Sequence, residues 1–225
     1  MHDKTSAQVE SIAPLTDSIL QVILAPNHYI DYKAGQYLQI ILGENEMCYS
    51  IANAPLGSRK YELHIRHHQD NAHNQALLAE IKNKGFLNLR VPLGQCHVGG
   101  LSSDKPILFI AGGTGFAPIK AMIEHLLAQG SPPPIELYWG ARSQSDLYMD
   151  EKVVHWQTHL PRFHYFHQLF NAANIDLVPN VLVQHPADLE NWQIVIAGSF
   201  DMAQEARDHL IAHGAKKDLL FSDAF

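Results

Sequence analysis

The chain has 225 residues, 46% hydrophobic and 17% charged, with 16 Lys+Arg against 23 Asp+Glu and a formal net charge of -7. That length can bury a core without staples, as one large unit or two small ones, and the composition excludes intrinsic disorder. An acidic balance without a Lys/Arg run speaks against nucleic acid, and two cysteines, Cys48 and Cys96, cannot build a disulfide framework or supply the four thiolates of an iron–sulfur cluster.

In chain order, the first half reads as short alternating apolar runs between turn signals. Runs at 18–24 (SILQVIL), 37–42 (YLQIIL), 61–66 (YELHIR) and 86–91 (FLNLRV) are separated by breakers at 25–27 (APN), 43–45 (GEN) and 54–57 (APLG). Many short strands with regular breakers predict an antiparallel barrel or sandwich. One helix over 74–82 interrupts it and stops at Gly85.

Small and polar residues at 99–106 (GGLSSDKP) mark a linker, and the rhythm then changes. The continuous apolar run 107–111 (ILFIA) predicts a strand buried on both faces. After it come a glycine turn, a helix over 118–129, strands at 135–139 and 163–170, and a helix over 150–159. A helix or loop near 175–185, a strand at 193–197, a helix over 201–213 and a last run at 219–221 complete the pattern. Strands alternating with helices predict a parallel sheet. The expected architecture is a β barrel over 1–102 followed by an α/β unit over 103–225. No segment reaches the ~18 apolar residues of a membrane span. Residues 1–11 carry no signal-peptide core, so a cytoplasmic location is expected.

The turn 111–118 (AGGTGFAP) joins the buried strand to the next helix. Its glycines permit close backbone approach, and amides at a helix start attract phosphate oxygens. Pro118 suits the first helical position. The spacing is Gly-x-Gly-x-x-Pro, not the usual dinucleotide fingerprint, and no Gly-Lys-Ser/Thr follows as in a P-loop. A tight turn without a ligand is the alternative; its place in the first crossover unit favours binding.

Several segments together resemble the ferredoxin–NADP reductase superfamily, and within it the single-chain NAD(P)H:flavin reductases. They are 32–40 (YKAGQYLQI), 49–55 (YSIANAP), 91–94 (VPLG), 111–118, 138–142 (YWGAR), 197–202 (AGSFDM) and 220–225 (LFSDAF), in order and over nearly the whole chain. The resemblance implies an N-terminal antiparallel flavin-binding barrel and a C-terminal NAD(P)-binding parallel sheet. FAD or FMN, used as cofactor or as substrate, would meet NADH or NADPH in the cleft between them, and hydride would pass to flavin N5. Chemistry of this kind belongs to the cofactors; the protein supplies orientation.

Carried over by position, the resemblance implies Ser50 as the catalytic hydroxyl facing flavin N5. Tyr49 would lie against the ring, and Ile51 and Ala52 would offer backbone groups to its edge. His64 and Arg66, on the strand ending at 66, are placed among the flavin-binding residues, with Arg66 a substitute phosphate partner. Gly112, Gly113, Thr114, Gly115, Phe116 and Pro118 would receive the nicotinamide and pyrophosphate. Gly198 and Met202 would line the opposite strand end, and Arg142 would meet the adenosine ribose. Asp223 and Phe225 would either approach the cleft or finish a strand.

The departure is Met47. Relatives carry arginine there to pair with flavin phosphate, and its loss implies weaker flavin binding by roughly ten- to a hundredfold. Ala197 likewise stands where many relatives have cysteine. The 15 histidines include a cluster at His64, His67, His68 and His73, and a helical pair at His155 and His159. The cluster's strand-then-loop placement gives no fixed inward face, the pair (HWQTH) lacks the glutamate of a His-Glu-x-x-His metalloprotease, and no metal site is expected. The function expected is flavin reduction by NAD(P)H, with loosely bound or free flavin. The alternatives are a reductase component passing electrons to a separate redox protein, and a degenerate nucleotide-binding module.

Overall fold

The computed structural model describes residues 3–67, 70–170 and 176–225. Among them, each half of the sequence builds its own sheet. In the first, β1 (Asp3–Thr16), β2 (Ile19–Pro26), β3 (Tyr37–Leu42), β4 (Asn45–Ser50), β5 (Tyr61–Arg66) and β6 (Phe86–Leu93) pair antiparallel in the order β4-β3-β6-β1-β2-β5. A bridge between Ile51 and Leu63 joins the two edges and closes the barrel. Alternate residues fill its interior, among them Leu38, Ile40, Tyr61, Leu63, Leu87 and Leu89.

The helix expected near 74–82 is α1 (Ala72–Lys84). Asn71 caps it by accepting from the amides of His73 and Asn74, and Gly85 ends it at φ 71. The sequence pattern singles out no run before residue 18, where the structure has β1, which pairs through one edge with β2 and through the other with β6 and carries two bulges against β2.

The second sheet consists of β7 (Ile107–Gly112), β8 (Ile135–Ala141), β9 (Phe163–Leu169), β10 (Gln193–Ala197) and β11 (Leu220–Phe221), all parallel, in the order β11-β10-β7-β8-β9. Helices α2 (Phe116–Ala128) and α3 (Asp150–His159) cover one face through Ile119, Ile123, Val153 and Trp156. Helices α4 (Val178–Gln184) and α5 (Phe200–Ala212) cover the other through Val178, Val181, Ala203 and Leu210. Burial on both faces explains the uninterrupted apolar run of β7.

From β7 the chain steps to β8 and β9, then returns across β7 to lay down β10. The carboxyl ends of β7 and β10 therefore flank a reversal of strand order, where open parallel sheets form their ligand crevice.

Two expectations change. Helix α2 begins at Phe116, straight after a single 3-10 turn at Gly113–Gly115, so Pro118 is its third residue rather than its first. Proline remains compatible there because amides of the first turn have no intrahelical acceptor. The segment near 175–185 contains helix α4; position 175 itself lies outside the described residues.

Gly35, at φ 108, is what lets the two halves meet closely. An added Cβ would stand 2.6 Å from the Cys96 carbonyl oxygen and 3.1 Å from the Met122 sulfur of α2.

Candidate functional site

A cleft of about 700 Å³ opens between the barrel and the crevice of the parallel sheet. The barrel contributes Gly35, Tyr37, Cys48, Tyr49, Ser50, His64 and Arg66. The parallel sheet contributes Gly112, Gly113, Thr114, Gly115, Pro118, Arg142, Gly198 and Met202. Most of the residues singled out from sequence therefore converge on one space, although they come from five separate strands and the helices that follow them.

Why this wall is built of glycine is visible in its packing. A Cβ on Gly115 would collide with the Ala197 carbonyl at the end of β10, and a Cβ on Gly112 would collide with the Met202 sulfur. One on Gly198 would stand 2.6 Å from that same sulfur. Gly113 adopts φ 54, a left-handed conformation open to glycine at little cost. Met202 is held in place by the start of α5, where the Ser199 hydroxyl caps the Met202 amide at 3.3 Å. The result is a shallow backbone cradle at the head of α2, where amide groups and the helix dipole favour an anion.

Four expected contacts are not available in the form anticipated. Phe116 is fully buried and stacks on Trp139 at 4.0 Å, so it supports the turn from behind. Ile51 and Ala52 are also fully buried. Their amides are spent inside the barrel, Ile51 on the Gln36 carbonyl at 3.0 Å and Ala52 on the Glu62 carbonyl at 2.7 Å. The Ala52 carbonyl in turn accepts from Lys120 Nζ at 2.9 Å. A strand that closes a barrel must satisfy its own backbone groups, which leaves these amides none to offer.

His64 walls the cleft, but both its ring nitrogens are committed: Nε2 to Glu62 at 2.8 Å and Nδ1 to the Tyr148 hydroxyl at 3.0 Å. Burial lowers its pKa despite the nearby Glu62 carboxylate, which favours the neutral ring. Arg66 pairs with Asp146 at 2.8 Å, and its guanidinium faces Gly113, so it reaches toward the parallel sheet. Arg142 is exposed, just past the end of β8.

Met47 and Tyr49 are partly buried and pack against the barrel core, with Tyr49 also lining the cleft. The cationic side chains lining the cleft, among the described residues, are Arg66 and Arg142. Besides His64 and Arg66, the barrel side thus offers two tyrosines, the Ser50 hydroxyl and two thiol-bearing residues, Cys48 and Cys96. Burial, then the Asp223 carboxylate, push the Cys96 thiol up to about 12, which favours the protonated thiol.

Asp223 enters the cleft from beyond β11. Its Oδ1 accepts from the amides of Gln95 at 2.7 Å and Cys96 at 3.0 Å, tying residues 222–224 to the end of the barrel. Phe225 lies under the Arg207 guanidinium, 5.0 Å from its ring centre. His68 of the histidine cluster falls outside the described residues.

Sequence reasoning missed Lys120, Glu62 and Tyr148, which join the two halves beneath the cleft. A signal was present: Lys120 is the one charged residue in the apolar stretch 116–123 (FAPIKAMI), where a lysine facing solvent would break the face.

Comparison with known proteins agrees with this architecture. Residues 109–208 match the family model of the oxidoreductase NAD-binding domain. The chain is 36% identical over 231 residues to an NAD(P)H-flavin reductase of Vibrio harveyi, covering 97% of each chain. It is 32% identical over 235 residues to an NAD(P)H-flavin reductase of Aliivibrio fischeri, covering 98% of each. In fold it is similar to a ferredoxin NADP+ reductase of Neisseria gonorrhoeae solved with bound FAD and NADP, with a TM-score of 0.79, 15% identity and all of both chains covered. The chain belongs to the ferredoxin–NADP reductase superfamily, in the company of its NAD(P)H-flavin reductases.

Proposed function

We propose, from that membership and from the cleft, that the protein is an NAD(P)H-dependent flavin reductase that takes flavin as a loosely held substrate. The observation that carries the reading is the pairing of a glycine cradle at the switch of strand order with a Tyr49-Ser50 edge across the same cleft. NAD(P)H supplies a hydride, and flavin accepts it.

The residues fit both groups unequally. The cradle of Gly112, Gly113 and Gly115 leaves room where any side chain would intrude, which suits the pyrophosphate and nicotinamide of the nucleotide. Arg142 lines the same cleft, where it would meet a ribose or its 2′-phosphate. On the barrel side Tyr49 supplies an aromatic surface, and Ser50 a hydroxyl able to donate or accept. Met47 leaves that side without a phosphate partner at the family position, so binding there rests on the ring and its polar edge. In this reading residues 1–102 form the flavin unit and residues 103–225 the nucleotide unit.

No general base is required, because orientation does the work. Ser50 holds the polar edge of the ring, the glycine cradle places the nicotinamide, and Phe200 and Met202 line the cleft beside Gly198. No helix of the described residues is long and apolar enough to cross a membrane. We place the reaction in the cytoplasm, where both substrates are dissolved.

Steady-state oxidation of NADH and NADPH with riboflavin, FMN and FAD tests the reading, on protein first inspected for bound colour. Acceleration by added flavin on colourless protein is the expected result. No acceleration by any of the three defeats it, and a tightly held yellow cofactor defeats the loose-binding part.

A further inference from the structure

Beneath the cleft the two halves are fastened by a polar seam. Along β5, Glu62, His64 and Arg66 alternate with Tyr61, Leu63 and Ile65, which fill the barrel. The polar face meets α2 and the segment after β8. Lys120 of α2 is 4% exposed, and its Nζ reaches the Ala52 carbonyl at 2.9 Å, Glu124 at 3.2 Å and Glu62 at 3.5 Å. Ala52 lies two residues past Ser50.

Glu62 relays the contact. Its Oε1 accepts from His64 Nε2 and from Gln21 Nε2, each at 2.8 Å. His64 Nδ1 meets the Tyr148 hydroxyl at 3.0 Å. The Tyr148 ring stands edge-on to Trp139 with centroids 5.4 Å apart, and the Trp139 indole donates to the Gly113 carbonyl at 3.0 Å. A continuous line of directional contacts therefore runs from the Ser50 strand to the glycine turn.

Apolar side chains could fill such a seam at equal or better stability, since buried ionic groups are costly to desolvate. What directional bonds add is one fixed arrangement of the groups that they join. We propose that Lys120, acting through Glu62, His64 and Tyr148, is a positioning residue that fixes the separation of the Tyr49-Ser50 edge from the 112–115 turn, and with it the hydride donor–acceptor distance. This rests on the flavin reductase reading of the cleft.

The test uses the full chain, with NADH and riboflavin, comparing wild type with Lys120→Met, Lys120→Arg and Tyr148→Phe. Misplacement by a fraction of an ångström to an ångström costs up to about a hundredfold in rate. Lys120→Met is expected to lower kcat by about ten- to a hundredfold, with the KM for NADH within about twofold and a larger primary isotope effect from NADH deuterated at the transferred position. Lys120→Arg, which keeps the donors, restores kcat to within about threefold. Tyr148→Phe keeps the ring packing and shifts kcat and the isotope effect the same way by less. An unchanged kcat in folded Lys120→Met overturns the proposal, as does a loss seen in KM alone. If Lys120→Met does not fold, Tyr148→Phe decides by the same criteria. A wild type that fails to reduce flavin overturns the functional reading itself, which active wild type with unaffected variants does not.

Discussion

The Tyr49 hydroxyl lies 3.7 Å from the Met47 sulfur, two residues along the same strand and on the same face. Where the family resemblance implies a guanidinium beside the aromatic, this chain offers a thioether. A thioether is a weak acceptor with no charge, so the ring surface remains and the phosphate partner does not.

Met47→Arg is therefore expected to restore discrimination by the flavin phosphate. A charge-assisted hydrogen bond of about 1.5–3 kcal/mol corresponds to roughly ten- to a hundredfold tighter FMN and FAD, with riboflavin little changed. Flavin titration by fluorescence, with all three flavins on both proteins, measures it. Equal tightening of riboflavin would show that the gain is not a phosphate contact.

Ser50→Ala removes the hydroxyl from the strand edge facing the cleft while leaving Tyr49 in place. Loss of one hydrogen bond worth about 0.5–1.5 kcal/mol predicts a fall in kcat of roughly two- to tenfold, with nucleotide KM unchanged. Pre-steady-state reduction of riboflavin separates this chemical step from product release.

Gly115→Ala places a Cβ against the Ala197 carbonyl, a backbone atom that cannot rotate away. Overpacking of about 1–3 kcal/mol should lower Tm by several degrees and raise the KM for NADH, since the turn and the end of β10 must separate. Gly130→Ala is the control for thermal denaturation away from the cleft; its added Cβ meets nothing within 4 Å, so its cost comes from its φ of 85 alone.

His185 supports a pH prediction remote from the cleft. Burial lowers its pKa, but hydrogen bonds and attraction from Glu136 at 2.8 Å and Asp188 at 3.0 Å outweigh that, and the net shift is upward. The folded state thus binds this proton more tightly than the unfolded chain. The stabilisation is fully present below about pH 6.5 and is lost as pH rises through the folded pKa. His185→Gln should therefore lower Tm most between about pH 5 and 6.5, by several degrees, with the gap narrowing toward alkaline pH. A gap that widens with pH contradicts the assignment. Glu62 behaves oppositely: burial opposes its ionisation, yet His64, Lys120 and Gln21 bring it down to about 2, so its contribution persists above about pH 4.5 and fades as pH falls toward 2.

Periodicity by itself determined most of the elements of this protein. The alternating run 61–66 is β5, the apolar run 193–197 is β10, and the helical stretch 150–159 is α3, each within its predicted bounds. Those features are local, set by which side of a strand or helix must leave water. The cleft was legible through short motifs, because glycine at 112, 115 and 198 stands where an added side chain would collide with its neighbours. What only tertiary structure decided is which groups are free. The amides of Ile51 and Ala52 are consumed in closing the barrel, Phe116 is pressed onto Trp139, and both nitrogens of His64 are held by Glu62 and Tyr148. Lys120 lies 68 residues from Ala52 in the chain and 2.9 Å from it in space. Hydrogen-bond partners are assigned by packing between the halves, and no spacing along the chain encodes that.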